Sequence, residues 1–300
     1  MSVLAFILIF ASAGLHASWN MIAKKERMTL AFYAVLCTIG AVWTSFMHFL
    51  SPLCFFSMPT RFYLALAGTL CGEIFYGLGI VRAYRVLDMS SAYPMMRSLP
   101  LLIIALVTTL CGFGRPLTLH AQIGMALVFA GCLLMPLKRF SELKLRNYLN
   151  RGMLYILSVA LGTTLYTIFD SWAQAVMRES FPDVSKPVIS LTYYSFRAPT
   201  VATLFWILTF SVRPWRDEAV SLWRKRSYLP IAAGVCSSLT YVLVLTAMNF
   251  VSNVSYVQAF RQLGLLIGML EGIFILKESC TMPKVAGITL ILSGLALSVL

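Results

Sequence analysis

Charged side chains are scarce in this chain of 300 residues. Asp, Glu, Lys and Arg make up 12 % of the sequence, whereas soluble domains carry about a quarter. Hydrophobic residues make up 59 %, and the mean hydropathy is +0.82. The composition therefore excludes a soluble enzyme, a disordered chain and a disulfide-stapled secreted domain. It also disfavours a porin-type barrel, in which polar and apolar residues alternate along each strand.

Motifs for metal, cofactor, disulfide or nucleic-acid chemistry are also lacking. The seven cysteines show neither C-x-x-C nor Cys/His ligand spacing, and most lie inside apolar runs. The histidines stand apart at 16, 48 and 120, and no G-x-S-x-G or H-E-x-x-H motif occurs. Despite a formal net charge of +13, no basic tract is interleaved with aromatic residues. We therefore expect no metal, no cofactor, no enzymatic activity and no nucleic-acid partner.

The chain does contain a series of long apolar runs. A membrane-spanning helix needs about 20 apolar residues, and runs of this kind nearly fill the sequence between short polar breaks. They predict an all-α polytopic membrane protein with ten transmembrane helices. The predicted spans are residues 2–23, 28–50, 61–87, 90–111, 118–137, 152–177, 188–212, 229–250, 253–276 and 284–300.

Basic residues are distributed unevenly between the breaks. Of the 24 Lys and Arg residues, 17 lie in the breaks after predicted helices 1, 3, 5, 7 and 9, and four lie in the breaks after helices 2, 4, 6 and 8. Basic residues accumulate on the cytoplasmic side of a membrane. The count therefore predicts that both termini lie outside the cell.

Three sequence features recur in the same order in the two halves of the chain, which indicates an internal duplication. The pairs are 18–26 with 171–179, 97–102 with 261–266, and the glycines at 124 and 131 with those at 287 and 294. We therefore divide the chain into a first five-helix repeat over 1–137, a basic connecting loop over 138–151 and a second five-helix repeat over 152–300.

The odd number of helices in each repeat has a geometric consequence. The second copy must enter the membrane in the opposite orientation to the first, so parity predicts two inverted five-helix repeats. Two such copies can exchange conformations and open a central site first to one side of the membrane and then to the other. This architecture is typical of carriers that work by alternating access.

Short motifs in this framework resemble those of a known family. They are the segment His16–Asn20 (HASWN), the segment Ser91–Arg97 (SAYPMMR), and the glycine spacing shared by predicted helices 5 and 10. Together they resemble the drug/metabolite transporter superfamily, specifically its ten-helix EamA-type carriers, over nearly the whole chain. The resemblance implies a secondary carrier for a small metabolite, with helices 1, 3, 4, 6, 8 and 9 around a central cavity and helices 5 and 10 at the periphery. It also implies cytoplasmic termini, so two expectations for the membrane orientation stay open.

Arginines deep in the predicted spans are the first candidates for a site, because such residues usually face a cavity or a partner. Arg97 and Arg261 occupy equivalent positions in the two repeats. They are candidates for a bidentate clamp on a carboxylate, phosphonate or phosphate. The alternative is that each arginine pairs with an acidic residue or caps backbone carbonyls at a helix break. A third deep arginine, Arg197, receives no role from these patterns.

Two carboxylates are candidates for proton coupling. Glu73 lies near the middle of predicted helix 3, where a carboxylate in a low-dielectric cavity can take up and release a proton. The alternative for Glu73 is a permanent ion pair with Arg97. Asp170 lies closer to the end of predicted helix 6, so a hydrated interfacial position is the expectation for it.

Polar and aromatic residues complete the candidate substrate-binding set. His16 and Asn20 share one face of helix 1 with Trp19 beside them, an arrangement that can hydrogen-bond to a small ligand and stack on it. The alternative is that His16 bonds to a neighbouring helix and Trp19 belongs to the interfacial aromatic belt. The resemblance implies four further cavity aromatics, with packing as the alternative role. These are Tyr76, Tyr93, Trp172 and Tyr241.

As a whole, the sequence predicts a secondary active transporter, expected to be an exporter, of a small polar or anionic metabolite across the bacterial inner membrane. The expected partners are a small-molecule substrate such as a carboxylate or phosphonate, protons and membrane lipids. The chain would act as a monomer or a homodimer. The alternative function is a membrane-embedded carrier or binding subunit for lipid or lipid-linked cargo.

Overall fold

The structure is a computed structural model that describes residues 2–25, 28–86, 89–112, 114–135, 137–144, 152–274 and 280–299; for 20, 21, 23–25, 84, 89–94, 268 and 271–274 it describes the backbone alone. All regular secondary structure in these residues is helical, which confirms the all-α prediction there. The helices are α1 (Val3–Lys25), α2 (Leu30–Thr44), α3 (Met47–Leu50), α4 (Thr60–Val86), α5 (Met89–Cys111), α6 (Leu119–Leu134), α7 (Gly152–Ser180), α8 (Lys186–Ser211), α9 (Arg213–Arg224), α10 (Leu229–Met248), α11 (Val254–Phe260), α12 (Leu263–Phe274) and α13 (Met282–Leu297).

Local sequence signals explain where several helices begin. Thr29, Thr118 and Asn253 precede α2, α6 and α11, and each side chain accepts a hydrogen bond from a backbone N–H of the first turn. Such caps satisfy donors that have no partner inside the helix. Helices α8, α9, α10 and α13 carry a proline in the first turn, where its missing N–H costs nothing.

Length and apolar composition allow several helices to cross a membrane. Four described segments meet both criteria, and a fifth does so if α8 and α9, which meet at 111°, are taken together. The four are Leu30–Leu50, Thr60–Ala83, Gly152–Ser180 and Leu229–Met248. These helices are compatible with a helical protein embedded in a membrane. The number of ten spans stays a prediction.

Glycine residues bring α6 and α13 into backbone contact. A Cβ on Gly287 would lie 2.7 Å from the carbonyl oxygen of Gly131, and Gly124 meets Gly294 in the same way. Close approach of this kind requires residues without side chains. Because the contact moves forward along α6 as it moves backward along α13, the two helices are antiparallel.

Two other helix pairs have the same antiparallel sense. The indole of Trp206 in α8 donates to the hydroxyl of Thr38 in α2 (2.9 Å), whereas Thr192, earlier in α8, bonds to Ser51, which follows α3. Toward the C-terminal end of α5, the hydroxyl of Thr108 lies 3.0 Å from the hydroxyl of Ser255 in α11. Earlier in α5, the contacts shift to the residues between α11 and α12.

Helices α4 and α7 pack closely and carry acidic residues toward each other. A Cβ on Gly72 would lie 2.7 Å from the backbone nitrogen of Tyr166, so these backbones also approach at a glycine. The hydroxyl of Ser158 donates to a backbone carbonyl of α4 (2.8 Å). This packing places Glu73 of α4 and Asp170 of α7 within reach of the same guanidinium.

We predict that Gly131→Ala destabilises the protein by about 1–3 kcal/mol, the cost of overpacking a close contact. The new methyl group would lie 2.5 Å from the carbonyl oxygen of Gly287 and force α6 and α13 apart. The matched control is Gly14→Ala, where no atom lies within 4 Å of the added carbon. The free energy of unfolding of the detergent-solubilised protein measures both effects, and equal values for the two variants would contradict the prediction.

Candidate functional site

A polar cavity lies inside the helix bundle. It has a volume of about 70 Å³ and is enclosed by α1, α2, α4, α7, α8 and α10. A second cavity of about 30 Å³ adjoins it toward α5 and α11. Both are lined by His16, Tyr76, Tyr166 and Arg261, so they are neighbouring parts of one site. The other residues of the first cavity are Trp19, Tyr33, Leu36, Cys37, Glu73, Tyr194, Arg197, Ser237, Thr240 and Tyr241.

One side of the first cavity holds an ion-pair cluster around Arg197 of α8. Its Nη2 pairs with Glu73 of α4, and its Nε lies 3.3 Å from Oδ2 of Asp170 of α7. No more than 7 % of any of these side chains is exposed. Buried charges are tolerated when they are paired and hydrogen-bonded, so both carboxylates depend on Arg197.

Hydroxyl groups from four helices satisfy further acceptor positions of the two carboxylates. Tyr33 of α2 donates to Oε2 of Glu73 (2.7 Å). Three hydroxyls donate to Asp170, those of Thr69, Tyr193 and Tyr241. Asp170 is fully buried and lies ten residues before the end of α7. The hydration expected for it is therefore wrong, because other helices cover the carboxylate, and its depth in the membrane stays a prediction.

Tyrosine rings surround Arg197 and continue along the cavity wall. The guanidinium carbon lies 4.5 Å from the ring centre of Tyr241 and 5.9 Å from that of Tyr166, within the range of a cation–π interaction. The ring centres of Tyr166 and Tyr76 are 5.7 Å apart, and those of Tyr76 and Tyr33 are 5.9 Å apart. The cavity therefore presents aromatic faces together with hydroxyl groups.

Arg97 and Arg261 meet at the second cavity. The predicted ninth helix is broken there, since α11 ends at Phe260 and α12 begins at Leu263. Arg97 Nη2 donates to the backbone carbonyl of Arg261 (2.7 Å), which is the carbonyl-capping alternative of the sequence analysis. The guanidinium of Arg261 makes a long contact of 3.4 Å with Gln258 and lines both cavities.

His16 lies between two groups that can only donate hydrogen bonds. Trp19 Nε1 is 3.0 Å from its Nδ1, and Arg97 Nη1 is 3.1 Å from its Nε2. A neutral imidazole accepts at one nitrogen, and the charged form accepts at neither. Only one of the two contacts can therefore be a hydrogen bond at a time. This competition weakens the hold of His16 on the Arg97 guanidinium.

The structure brings together most of the residues singled out in the sequence. Those lining one or both cavities are His16, Trp19, Glu73, Tyr76, Arg97, Tyr241 and Arg261. Glu73 is ion-paired, but its partner is Arg197 and not the Arg97 considered in the sequence analysis. Trp172 lines neither cavity and packs half-buried beside Phe169. The side chains of Asn20 and Tyr93 lie outside the described residues.

Several cavity residues were not assigned to the site from the sequence. Arg197 lies deep in predicted helix 7, which is not among the cavity helices that the family resemblance implies. Thr240 lines the first cavity, and its buried hydroxyl makes no hydrogen bond with the described residues. Tyr33 and Tyr166 carry no signal beyond their residue type, because aromatic residues are common throughout the chain.

We predict that Arg197→Leu lowers the free energy of unfolding by about 3–5 kcal/mol, because it leaves two buried carboxylates without their counter-ion. The matched control is Arg61→Leu, which breaks the Arg61–Glu179 pair, whose side chains are 61 % and 62 % exposed. An exposed pair contributes about 0–1 kcal/mol. Unfolding of both variants in detergent measures the difference, and an Arg197 variant as stable as the control would contradict the prediction.

Comparison with known proteins supports the fold and leaves the function open. No protein-family model matches the chain, and no curated protein matches it. A search of solved structures finds 28 matching chains. One of them, described only as "Crystal structure of protein", is similar with a TM-score of 0.68 at 13 % identity, over 98 % of this chain and 95 % of that chain. At this identity the match shows a shared fold alone, so the resemblance to the drug/metabolite transporter superfamily stays a prediction.

Proposed function

We propose that this protein is a secondary active transporter of a small anionic metabolite and works by alternating access between two inverted five-helix repeats. The antiparallel packing of helices that are equivalent in the two repeats carries the proposal. Predicted helices 5 and 10 correspond to α6 and α13, and helices 2 and 7 correspond to α2 and α8. Copies related by an axis in the membrane plane run antiparallel where equivalent helices meet, as both pairs do here.

The register of the glycine contacts supports the same symmetry. The repeat equates Gly124 with Gly287 and Gly131 with Gly294. Exchanging the two halves therefore converts the contact between Gly124 and Gly294 into the contact between Gly287 and Gly131, and both contacts occur. A chance pairing of two glycine-rich helices would not have to map onto itself in this way.

The extensive helix pairs also exchange with each other under the proposed symmetry. The α4–α7 pair joins predicted helices 3 and 6, and the α1–α10 pair joins predicted helices 1 and 8. Replacing each helix by its counterpart in the other repeat converts one pair into the other. Helical segments also occur within all ten predicted spans. These observations support ten crossings, and the inner-membrane location follows from the sequence resemblance.

The charge in the cavities supports an anionic substrate. Arg261 is 6 % exposed, and no ion pair to it occurs among the residues that the structure describes. A buried cation of this kind is stabilised by an anion that enters from outside. Thr240 lines the same cavity, and its buried hydroxyl has no hydrogen-bond partner among the described residues. Carboxylate, phosphonate and phosphate groups match this set of donors.

Competition for Arg197 provides a route to proton coupling. An anion that reaches Arg197 would displace the carboxylate of Glu73, which pairs with the same guanidinium. A buried carboxylate that loses its counter-ion is stabilised by taking up a proton. Anion binding and proton uptake would then be linked at Glu73, while Asp170 stays paired with Arg197.

We predict that a thermal-unfolding screen of the detergent-purified protein against amino acids, phosphonates, sugar phosphates and nucleosides finds an anion that raises the Tm. Arg261→Gln should weaken its binding about 10- to 100-fold, the effect of losing a charged hydrogen-bond donor. Arg61→Gln removes one exposed positive charge outside the site and should bind normally.

In proteoliposomes, Arg97→Ala and Arg261→Ala should abolish or redirect transport of that anion. Near-normal flux in either variant would reject the clamp.

We predict that transport of the same anion responds to an imposed pH gradient and that Glu73→Gln loses this response. The amide keeps the size of the side chain but cannot carry a proton in the coupling step. Flux into proteoliposomes at matched membrane potential, with and without a pH gradient, measures the effect. A gradient response that persists in Glu73→Gln would assign the coupling to another group.

A further inference from the structure

Helix α9 leaves the bundle at a sharp angle. One residue separates the end of α8 from the start of α9, and the axes of the two helices meet at 111°. Val212 links the helices, and Pro214 occupies the first turn of α9. In the proposed membrane orientation of α8 along the bilayer normal, a helix at this angle runs close to the plane of the membrane surface.

One face of α9 packs against the end of the bundle. Trp215, Ala219 and Leu222 recur at helical spacing; Ala219 is 2 % exposed, and the other two pack against a hydrophobic cluster. Glu218 forms a salt bridge with Arg85 near the end of α4, which fixes the helix at that end of the bundle. The helix is therefore a built part of the fold and not a loose connection.

A second flank of α9 is apolar and exposed. Trp223 is 72 % exposed and Val220 is 45 % exposed, and Arg216 lies on the same flank at helical spacing. Large apolar side chains held outward beside a basic residue are typical of helices that lie at the interface of a membrane. The indole of Trp223 would sit at headgroup level there.

The charge of this region complements an anionic surface. Residues 213–226 contain five basic and two acidic residues, and one of the two acids, Glu218, is paired with Arg85. All five basic residues are exposed: Arg213, Arg216, Arg224, Lys225 and Arg226. Basic residues near an anionic leaflet are attracted to its surface.

We propose that α9 is an interfacial helix that binds anionic phospholipid headgroups. Val220 and Trp223 enter the interface, and Arg213, Arg216 and Arg224, which lie on or next to the same flank, contact the lipid phosphates. An acidic protein would be matched by the charges but not by the outward apolar flank, whereas an anionic bilayer matches both. This surface is separate from the cavities and is independent of the substrate that the transporter carries.

Native mass spectrometry of the full chain with mixed phosphatidylglycerol and phosphatidylcholine tests the proposal. The wild type should retain phosphatidylglycerol in preference. The triple variant Arg213→Gln/Arg216→Gln/Arg224→Gln should lose at least about tenfold of that preference. The control Arg61→Gln/Arg115→Gln/Lys186→Gln removes the same number of exposed charges outside α9 and should keep it. Equal losses in the two triple variants, or no preference in the wild type, would overturn the proposal.

Fluorescence gives a second measurement that needs no change of charge. The emission of Trp223 is obtained as the difference between the wild type and Trp223→Phe. In nanodiscs that contain brominated phosphatidylglycerol, this emission should be strongly quenched, because bromine in the interface lies close to an inserted indole. Emission from Trp223 that is unquenched in the bilayer would overturn the proposal. The proposal would also be overturned if the wild type bound an acidic polypeptide and showed no preference for anionic vesicles, because the partner of α9 would then be a protein.

Discussion

Burial of the Arg197 guanidinium between two carboxylates is the constraint on which the interior of this bundle depends. A charged side chain that is buried among apolar helices is stable only when it is paired with a group of opposite charge. Arg197, Glu73 and Asp170 come from α8, α4 and α7. Satisfying all three fixes how these helices face each other. The hydroxyls and aromatic rings around the cluster extend this constraint to α2 and α10.

Arg261 differs from Arg197 in the groups that accept hydrogen bonds from its guanidinium. Around Arg197 the acceptors are carboxylates, whereas the acceptor that the described residues offer the Arg261 guanidinium is the side-chain amide of Gln258. Neutral acceptors hold a guanidinium less strongly than carboxylates do. An incoming anion would therefore displace the contact between Arg261 and Gln258 more readily than the ion pairs of Arg197.

The sequence predicts this molecule best where local periodicity or spacing determines the outcome. The apolar runs locate the helices, and the recurring glycines at 124, 131, 287 and 294 mark the contact between α6 and α13. The environment of Asp170 could not be predicted in this way, because its hydroxyl donors come from α4, α8 and α10. Partner choice for Glu73 failed for the same reason, since spacing along one helix does not say which of three arginines the fold brings close.

The two arms of the Arg197 cluster would behave differently in the proposed transport cycle. In the proposed division of the chain, Arg197 and Asp170 lie in the second repeat and Glu73 lies in the first. Helices α4 and α7 pack closely through Gly72, so the two carboxylates lie on one packed helix pair and Arg197 reaches both of them from α8. An anion that replaces Glu73 at Arg197 would leave the contact with Asp170 in place, so Arg197 would keep one carboxylate partner. The proposed substrate would therefore substitute for one carboxylate of the cluster while the other stays.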